Sequence, residues 1–505
     1  MSTKNVSETP SRLEVTSGKV TMSLALAQKS LHGRLIVPTQ YEGVRWMLSR
    51  ETAQHTKGGI LADSMGIGKT IQVIATILGN PGKKTLIVVP KSIVNQWRTE
   101  IEKFGPSLTV NVFDGPKRVM VPSDVTIACY SVLVAKGKPK GTPTVLHQET
   151  WGRIVLDEGH EIRNINSKIY TSCKNLTGDI RWILSGTPVY NSIRDFVALC
   201  GFLGIHRSMV QGLPSQIRDT YVLRRTLDVQ ELGTQVTVKR LELPPCDFQN
   251  VELDLFPEEL GMYRKVFAEG QKKVKAILSQ DNAGMHFMNM LECFLRVRQT
   301  LIHPQLYLNG IANKMGVEPD KWTHDTNKMS TLFRMINEHP KEKSLVFCQF
   351  MEEMNFIHEE LEKQGHPVFR IDGSVDQETR VKMIEAFKRY HKGVFIIQIK
   401  AGGQGLNLQE ATRVYITSPS WNPATELQAI ARSHRTGQTQ KVTVRKLVYR
   451  GLPNLPSIEE SMMELQKHKS VMSAEVLNDP RLATQIPESS DKLSVRDLKL
   501  LFEIQ

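Results

Sequence analysis

Lys69 and Thr70 end the segment GGILADSMGIGKT, in which an apolar strand runs into a glycine-bearing turn and then into a helix that starts near Lys69. That order of elements is what a phosphate-binding loop requires. Backbone N–H groups from Asp63, Ser64, Met65, Gly66, Ile67 and Gly68 can point at phosphate oxygens, Lys69 can reach the outer phosphates, and the Thr70 hydroxyl can ligate Mg2+. One residue departs from the pattern G-x-x-x-x-G-K-T: Asp63 stands where its first glycine belongs.

A second set of chemical groups follows in RIVLDEGH, where Asp157 and Glu158 come directly after an apolar strand. In a parallel sheet the ligand crevice lies beyond the carboxyl ends of the strands, so the two carboxylates are placed to meet a nucleotide. Asp157 would hold the metal, directly or through water, and Glu158 would orient and deprotonate an attacking water. A solvated acidic turn is the bland alternative, and it does not explain why the pair follows a strand downstream of a phosphate loop. Upstream, Gln40 in VPTQYEGVRWML has an amide that can pair with adenine. A helix-surface glutamine is the other reading, and the residue alone does not choose between them.

These groups need a scaffold, and the hydrophobic rhythm supplies one. From Gly59 to Gly204 the runs GGILA, TLIVVP, DVTIACY, RIVLD and RWILS alternate with polar or helix-forming stretches. From Lys343 to Val448 the runs SLVFCQF, HPVFRID, VFIIQI, RVYIT and VTVRKLVY do the same. Both patterns predict α/β lobes built on parallel sheets. Leu255 to Asn337 carries apolar residues at helical spacing. The expected division is a disordered lead-in over 1–30, a first lobe over 31–225, a connecting region with helical insertions over 226–335, a second lobe over 336–455 and a helical tail over 456–505.

Bulk composition is that of a globular protein, with 505 residues, 40% hydrophobic and 23% charged. No apolar run approaches the length needed to cross a bilayer, and the polar start lacks a secretory pattern. The six cysteines form no C-x-x-C pair, which argues against a disulfide framework or a structural zinc module. A formal charge of +13 favours a polyanionic partner such as nucleic acid once motifs call for one.

Taken in order, the strings resemble the Swi/Snf-like family of helicase superfamily two. LADSMGIGKTIQ resembles its first motif, usually written with glutamate at Ser64. VVPKSIVNQWRTEIEKF, DEGH, LSGTPVYNS, KSLVFCQF, FRIDGSV, AGGQGLNLQEA, WNPATELQAIARSHRTGQ and the trailing IEE are similar to its later ones. DEGHEIRN and LPPC lean toward a branch that includes ubiquitin-ligase-bearing repair translocases, whose zinc-binding ring this chain lacks the paired cysteines to form. In its compactness the chain looks like the baculovirus global transactivators.

The resemblance implies two RecA-like lobes in tandem and an ATPase that uses Mg2+ and translocates on double-stranded DNA. It implies that Arg432 and Arg435, three apart on an expected helix, are arginine fingers, that Gln428 helps read the nucleotide state, and that Ser185, Gly186 and Thr187 relay lobe closure. DNA contacts are expected from Pro90, Lys91, Tyr130, Ser131, Gln349, Lys400, Gly402, Gly403 and Gly405. Amides, small hydroxyls and lysines of this kind suit phosphate oxygens and leave base sequence unread. A nuclear setting, the host nucleus for a viral protein, and a role in transcription are also implied, with nucleosomes or transcription proteins as further partners. A strand-separating helicase and a non-catalytic DNA-bound scaffold are the competing expectations.

Overall fold

In the computed structural model the residues described are 17–35, 38–63, 66–185, 193–225, 244–279, 286–399, 406–421, 423–435, 437–452, 454–465 and 495–504. The chain divides into two compact units, Met1–Glu242 and Leu243–Gln505.

The first unit is built on seven strands: β1 Lys57–Leu61, β2 Thr85–Val89, β3 Val110–Phe113, β4 Val125–Cys129, β5 Thr150–Asp157, β6 Thr177–Leu184 and β7 Val222–Leu223. Their order is β3-β4-β2-β5-β6-β1-β7, and every pairing is parallel. Ile87, Val88, Val89, Ile127 and Val155 are fully buried because helices cover both faces of the sheet, which is why these strands read as unbroken apolar runs. Helices α1 Ser17–Ser30, α2 Thr39–Glu51, α3 Lys69–Gly79 and α4 Val94–Phe104 contribute to that cover.

Helix α1 falls inside the stretch expected to be a disordered lead-in. Its Val20, Leu24 and Ala27 are buried in the same core as α2 and α3. Spaced four and three apart, they form a buried stripe, while Met22 and Leu26 of the same helix stay exposed, so packing of that stripe against the lobe holds the helix.

Below the strand ends, a buried charge ties the unit together. Arg153 of β5 donates from Nε and Nη2 to the two Glu51 carboxylate oxygens, each at 2.6 Å. Glu51 also accepts from Trp182 Nε1 at 3.0 Å and Asn80 Nδ2 at 2.6 Å, and Arg153 Nη1 donates to Thr85 Oγ1 at 3.0 Å. With all these donors and acceptors used, the charges are tolerated in the interior.

The second unit holds β8 Cys246–Leu253, β9 Lys343–Cys348, β10 Val368–Ile371, β11 Gly393–Gln398, β12 Arg413–Ile416 and β13 Val442–Tyr449. The order is β10-β11-β9-β12-β13-β8, again all parallel. β8 lies in the stretch expected to be connecting region, yet it pairs with β13 over its whole length. It is an edge strand with half-exposed, mixed-polarity residues, which hides the apolar pattern.

The helices Pro257–Leu278, Phe287–Ile302, Pro304–Met315 and Asn327–Asn337 share a core with β9, β12 and β13. Residues of the tail, Ile458, Met462, Leu498, Leu501 and Phe502, are buried in that core too. A second internal ion pair fastens it: Lys328 Nζ lies 2.7 Å from Glu459 Oε1, and Glu459 Oε2 accepts the Tyr449 N–H at 3.0 Å. Glu459 belongs to the IEE string.

Candidate nucleotide site

The phosphate loop leaves the end of β1 and enters α3 through Gly68, which is left-handed at φ 89°. That backbone angle favours glycine, and a Cβ there would also stand 2.5 Å from Gln40 Nε2 and displace it. Gln40 is buried, and its Nε2 donates to the Ile67 carbonyl at 2.9 Å. The Gln40 amide is therefore not a surface group, and its Nε2 braces the loop. Lys69 Nζ donates to the Asp63 carbonyl at 2.7 Å. Thr70 is half-buried in the first turn of α3. Ser64 and Met65 lie outside the described residues.

The Asp63 side chain is turned into the interior. Its fully buried carboxylate is gripped by the Arg225 guanidinium, Nε to Oδ1 at 2.9 Å and Nη2 to Oδ2, with Gln72 Nε2 donating to Oδ2 at 3.2 Å. Turned inward and paired, the charge is kept from the phosphate position, which explains how an aspartate can replace glycine there.

β6 alone separates β1 from β5, so at ordinary strand spacing the loop and the Asp157–Glu158 pair stand about 10 Å apart along the sheet edge. Ser185, at the end of β6, donates its N–H to the Leu61 carbonyl at 3.2 Å and is fully buried. Gly186 and Thr187 lie outside the described residues. Glu158 is left-handed at φ 50°, a costly angle for a residue with a side chain and one found where function over-determines the backbone. His160 Nδ1 lies 3.4 Å from its Oε2.

Asp157 is held from three sides. Trp97 Nε1 of α4 donates to Oδ2 at 2.7 Å, the Glu158 N–H donates to Oδ1 at 2.9 Å, and Tyr130 OH donates to the Asp157 carbonyl at 2.7 Å. Burial, with the neighbouring Glu158 charge, pushes the Asp157 carboxyl up to about 6, while the Trp97 bond and the Lys69 charge act in the opposite direction. A carboxylate so placed gains from a cation. Among the described residues no group of three or more His, Cys, Asp and Glu side chains could hold a metal. One carboxylate with one hydroxyl suits Mg2+, which keeps several waters and takes phosphate oxygens as ligands.

In the second unit the helix Pro423–Ile430 carries half-buried Gln428 and stops before Arg432. Arg432 and Arg435 were expected on a helix; they stand in the turn after it. Tertiary ties end the helix there. The Leu408 N–H donates to the Arg432 carbonyl at 3.0 Å, Ser433 Oγ donates to the Ala411 carbonyl at 2.5 Å, and His434 Nε2 meets the Pro244 carbonyl at 2.8 Å.

The expected DNA-facing residues divide. Lys91 and Ser131 are exposed and Pro90 half-buried, all just past strand ends of the first unit. Tyr130 is corrected: its ring is buried, and its hydroxyl supports the strand end that bears Asp157. Gln349 turns inward, its Nε2 donating to Ser420 Oγ at 2.9 Å. Lys400, Gly402, Gly403 and Gly405 lie outside the described residues. Sequence reasoning missed Trp97, Gln72 and Arg225. A buried indole N–H needs an acceptor, but no spacing rule links residue 97 to 157 or residue 225 to 63.

With this geometry in place, comparison with known proteins assigns the class. Residues 39–306 match the SNF2-related domain and residues 327–437 the helicase conserved C-terminal domain. The chain belongs to the SNF2-related family. Among particular relatives, the probable global transactivator of Orgyia pseudotsugata multicapsid polyhedrosis virus is 29% identical, over 85% of this chain and 89% of the viral protein. The ISWI chromatin-remodeling complex ATPase of Saccharomyces cerevisiae is 27% identical, over 92% of this chain and 42% of its own length. Apart from the viral protein, the chain spans about half the length of the curated relatives it matches. The SWI2/SNF2 ATPase core of Sulfolobus solfataricus in complex with dsDNA is 25% identical, covering 94% of this chain and 98% of that one, with a TM-score of 0.40.

Proposed function

We propose that the chain is an ATP-dependent translocase on double-stranded DNA that remodels protein–DNA complexes in transcription, acting in a nucleus. The observation that carries the reading is the first-unit sheet edge. A loop with Lys69 and Thr70 follows β1, and Asp157 and the left-handed Glu158 stand at the end of β5, with only β6 between the two strands. The viral relative, matched over most of its length, is named a transactivator, and the yeast relative a chromatin-remodelling ATPase.

In this mechanism the loop amides and Lys69 bind the outer phosphates. Thr70 and Asp157 would hold Mg2+, whose chemistry is to offset phosphate charge. Glu158 orients a water and takes its proton as the water attacks the terminal phosphorus and the bond from that phosphorus to the bridging oxygen breaks, releasing ADP. Arg432 and Arg435 are assigned to charge developing on the transferring phosphate, the role that the family resemblance implies. Lys91, Ser131 and other loop residues contact phosphate oxygens of the duplex without reading sequence.

The deciding measurement is the ATPase rate without nucleic acid and with single-stranded DNA, duplex or nucleosomes. Low activity alone and the greatest stimulation by duplex are expected. Glu158→Gln should lower the stimulated rate about 100-fold or more while retaining ATP binding. Hydrolysis undiminished in Glu158→Gln would overturn the assignment, and unwinding of a forked duplex without displacement of a triplex strand would favour a strand-separating helicase.

A further inference from the structure

Arg225 stands two residues past the end of β7, and its guanidinium reaches three parts of the candidate nucleotide site. Nε donates to Asp63 Oδ1 at 2.9 Å, while Nη2 donates to Asp63 Oδ2 and, at 2.9 Å, to Gln72 Oε1 of α3. Nη1 donates to the carbonyl of Thr39, the residue before Gln40. Helix α2 makes room for this fork with Gly43, where a Cβ would meet Gln72 Oε1 at 1.8 Å and Arg225 Nη2 at 2.5 Å. The arrangement is a built, bidentate grip, and each part of it comes from a different element.

The grip has a consequence for Lys69. Asp63 brings a carboxylate into the loop where the usual pattern has no side chain, and a buried carboxylate must be paired. Lys69 Nζ already rests 2.7 Å from the Asp63 backbone carbonyl. Without Arg225, the Asp63 carboxylate has this ammonium as a competing partner close at hand. We propose that Arg225 is a positioning residue for the phosphate loop: by neutralising and turning away the Asp63 carboxylate, it leaves Lys69 available to phosphate. The inference rests on the nucleotide-site reading above.

The test is titration of a fluorescent N-methylanthraniloyl ATP into the full chain, with a thermal melt of each variant. Arg225→Ala should weaken binding about tenfold or more, the scale of one lost charge-assisted hydrogen bond. Adding Asp63→Asn to Arg225→Ala should restore affinity to within about threefold of wild type, because the liability is the carboxylate's charge. A purely structural role predicts no such suppression. If Arg225→Ala fails to fold, Arg225→Lys is read instead; it keeps the charge, loses the fork, and should show a smaller loss that Asp63→Asn again reverses.

Binding within about twofold of wild type in Arg225→Ala would overturn the inference, as would a folded double variant that stays as weak as the single one. Lys69→Ala separates the two readings. If wild type does not bind the nucleotide, or Lys69→Ala binds equally well, the nucleotide site itself is wrong. If Lys69→Ala loses binding and Arg225→Ala does not, only the role of Arg225 fails.

Discussion

The Trp97 indole donates to Asp157 Oδ2 at 2.7 Å while the Glu158 N–H donates to Oδ1 at 2.9 Å, so the carboxylate is oriented through both oxygens at the end of β5. Groups that orient a metal-holding carboxylate govern metal affinity about as strongly as many ligands do. Trp97→Phe keeps the buried ring and removes the bond. The Mg2+ concentration giving half-maximal ATPase should rise about tenfold or more, with little change in melting temperature. An unchanged Mg2+ requirement would show that Asp157 is oriented without Trp97.

Exposed Lys91 supplies a check on DNA binding. Lys91→Ala should weaken duplex binding to a similar degree whatever the base sequence. It should also make the slope of log K against log salt shallower by about 0.9, one phosphate contact. Sequence-dependent loss in competition binding would contradict a backbone contact.

The pair Glu51–Arg153 is a stability device remote from chemistry. Glu51→Gln leaves the Arg153 guanidinium buried beside a neutral amide, and a loss of about 3–5 kcal/mol in urea unfolding of the first unit is expected. A loss below about 1 kcal/mol would mean that the surrounding acceptors suffice.

His303 gives the second unit a pH dependence. It is buried, its Nδ1 accepts the Gln305 N–H at 3.1 Å at the start of the helix Pro304–Met315, and burial pushes its pKa down to about 4. The folded value is below the unfolded one, so protonation favours unfolding. The contribution is intact above about pH 6.5 and is lost as pH falls toward 4, by about 3 kcal/mol in all. His303→Asn keeps an N-cap acceptor and should flatten that limb of the stability–pH curve. A limb of undiminished depth would assign it to other groups.

Legibility in the sequence followed locality. The phosphate loop and the Asp157–Glu158 pair could be read because each is a short string tied to one strand end, and both sheets announced themselves through buried β-branched runs. Asp63 was visibly odd, but its explanation, Arg225, lies far along the chain, just past the end of β7. Tyr130 looked like a surface contact because a motif string does not say which way a ring turns. The helical stretch ended before Arg432 because Ser433 and His434 are held by tertiary bonds that no propensity encodes. Helix α1 and strand β8 were obscured for a related reason: each has a thin apolar stripe that matters only once its neighbour is in place.

The pairing of β8 with β13 joins the first and last strands of the second unit, with every other strand of its sheet lying between them in the sequence. During synthesis the nascent β8 therefore waits, its hydrogen-bonding edge open, until the ribosome has released Tyr449. The first unit can complete its sheet long before then. Late non-local closure of this kind slows folding and leaves an unpaired edge exposed to other chains until β13 arrives.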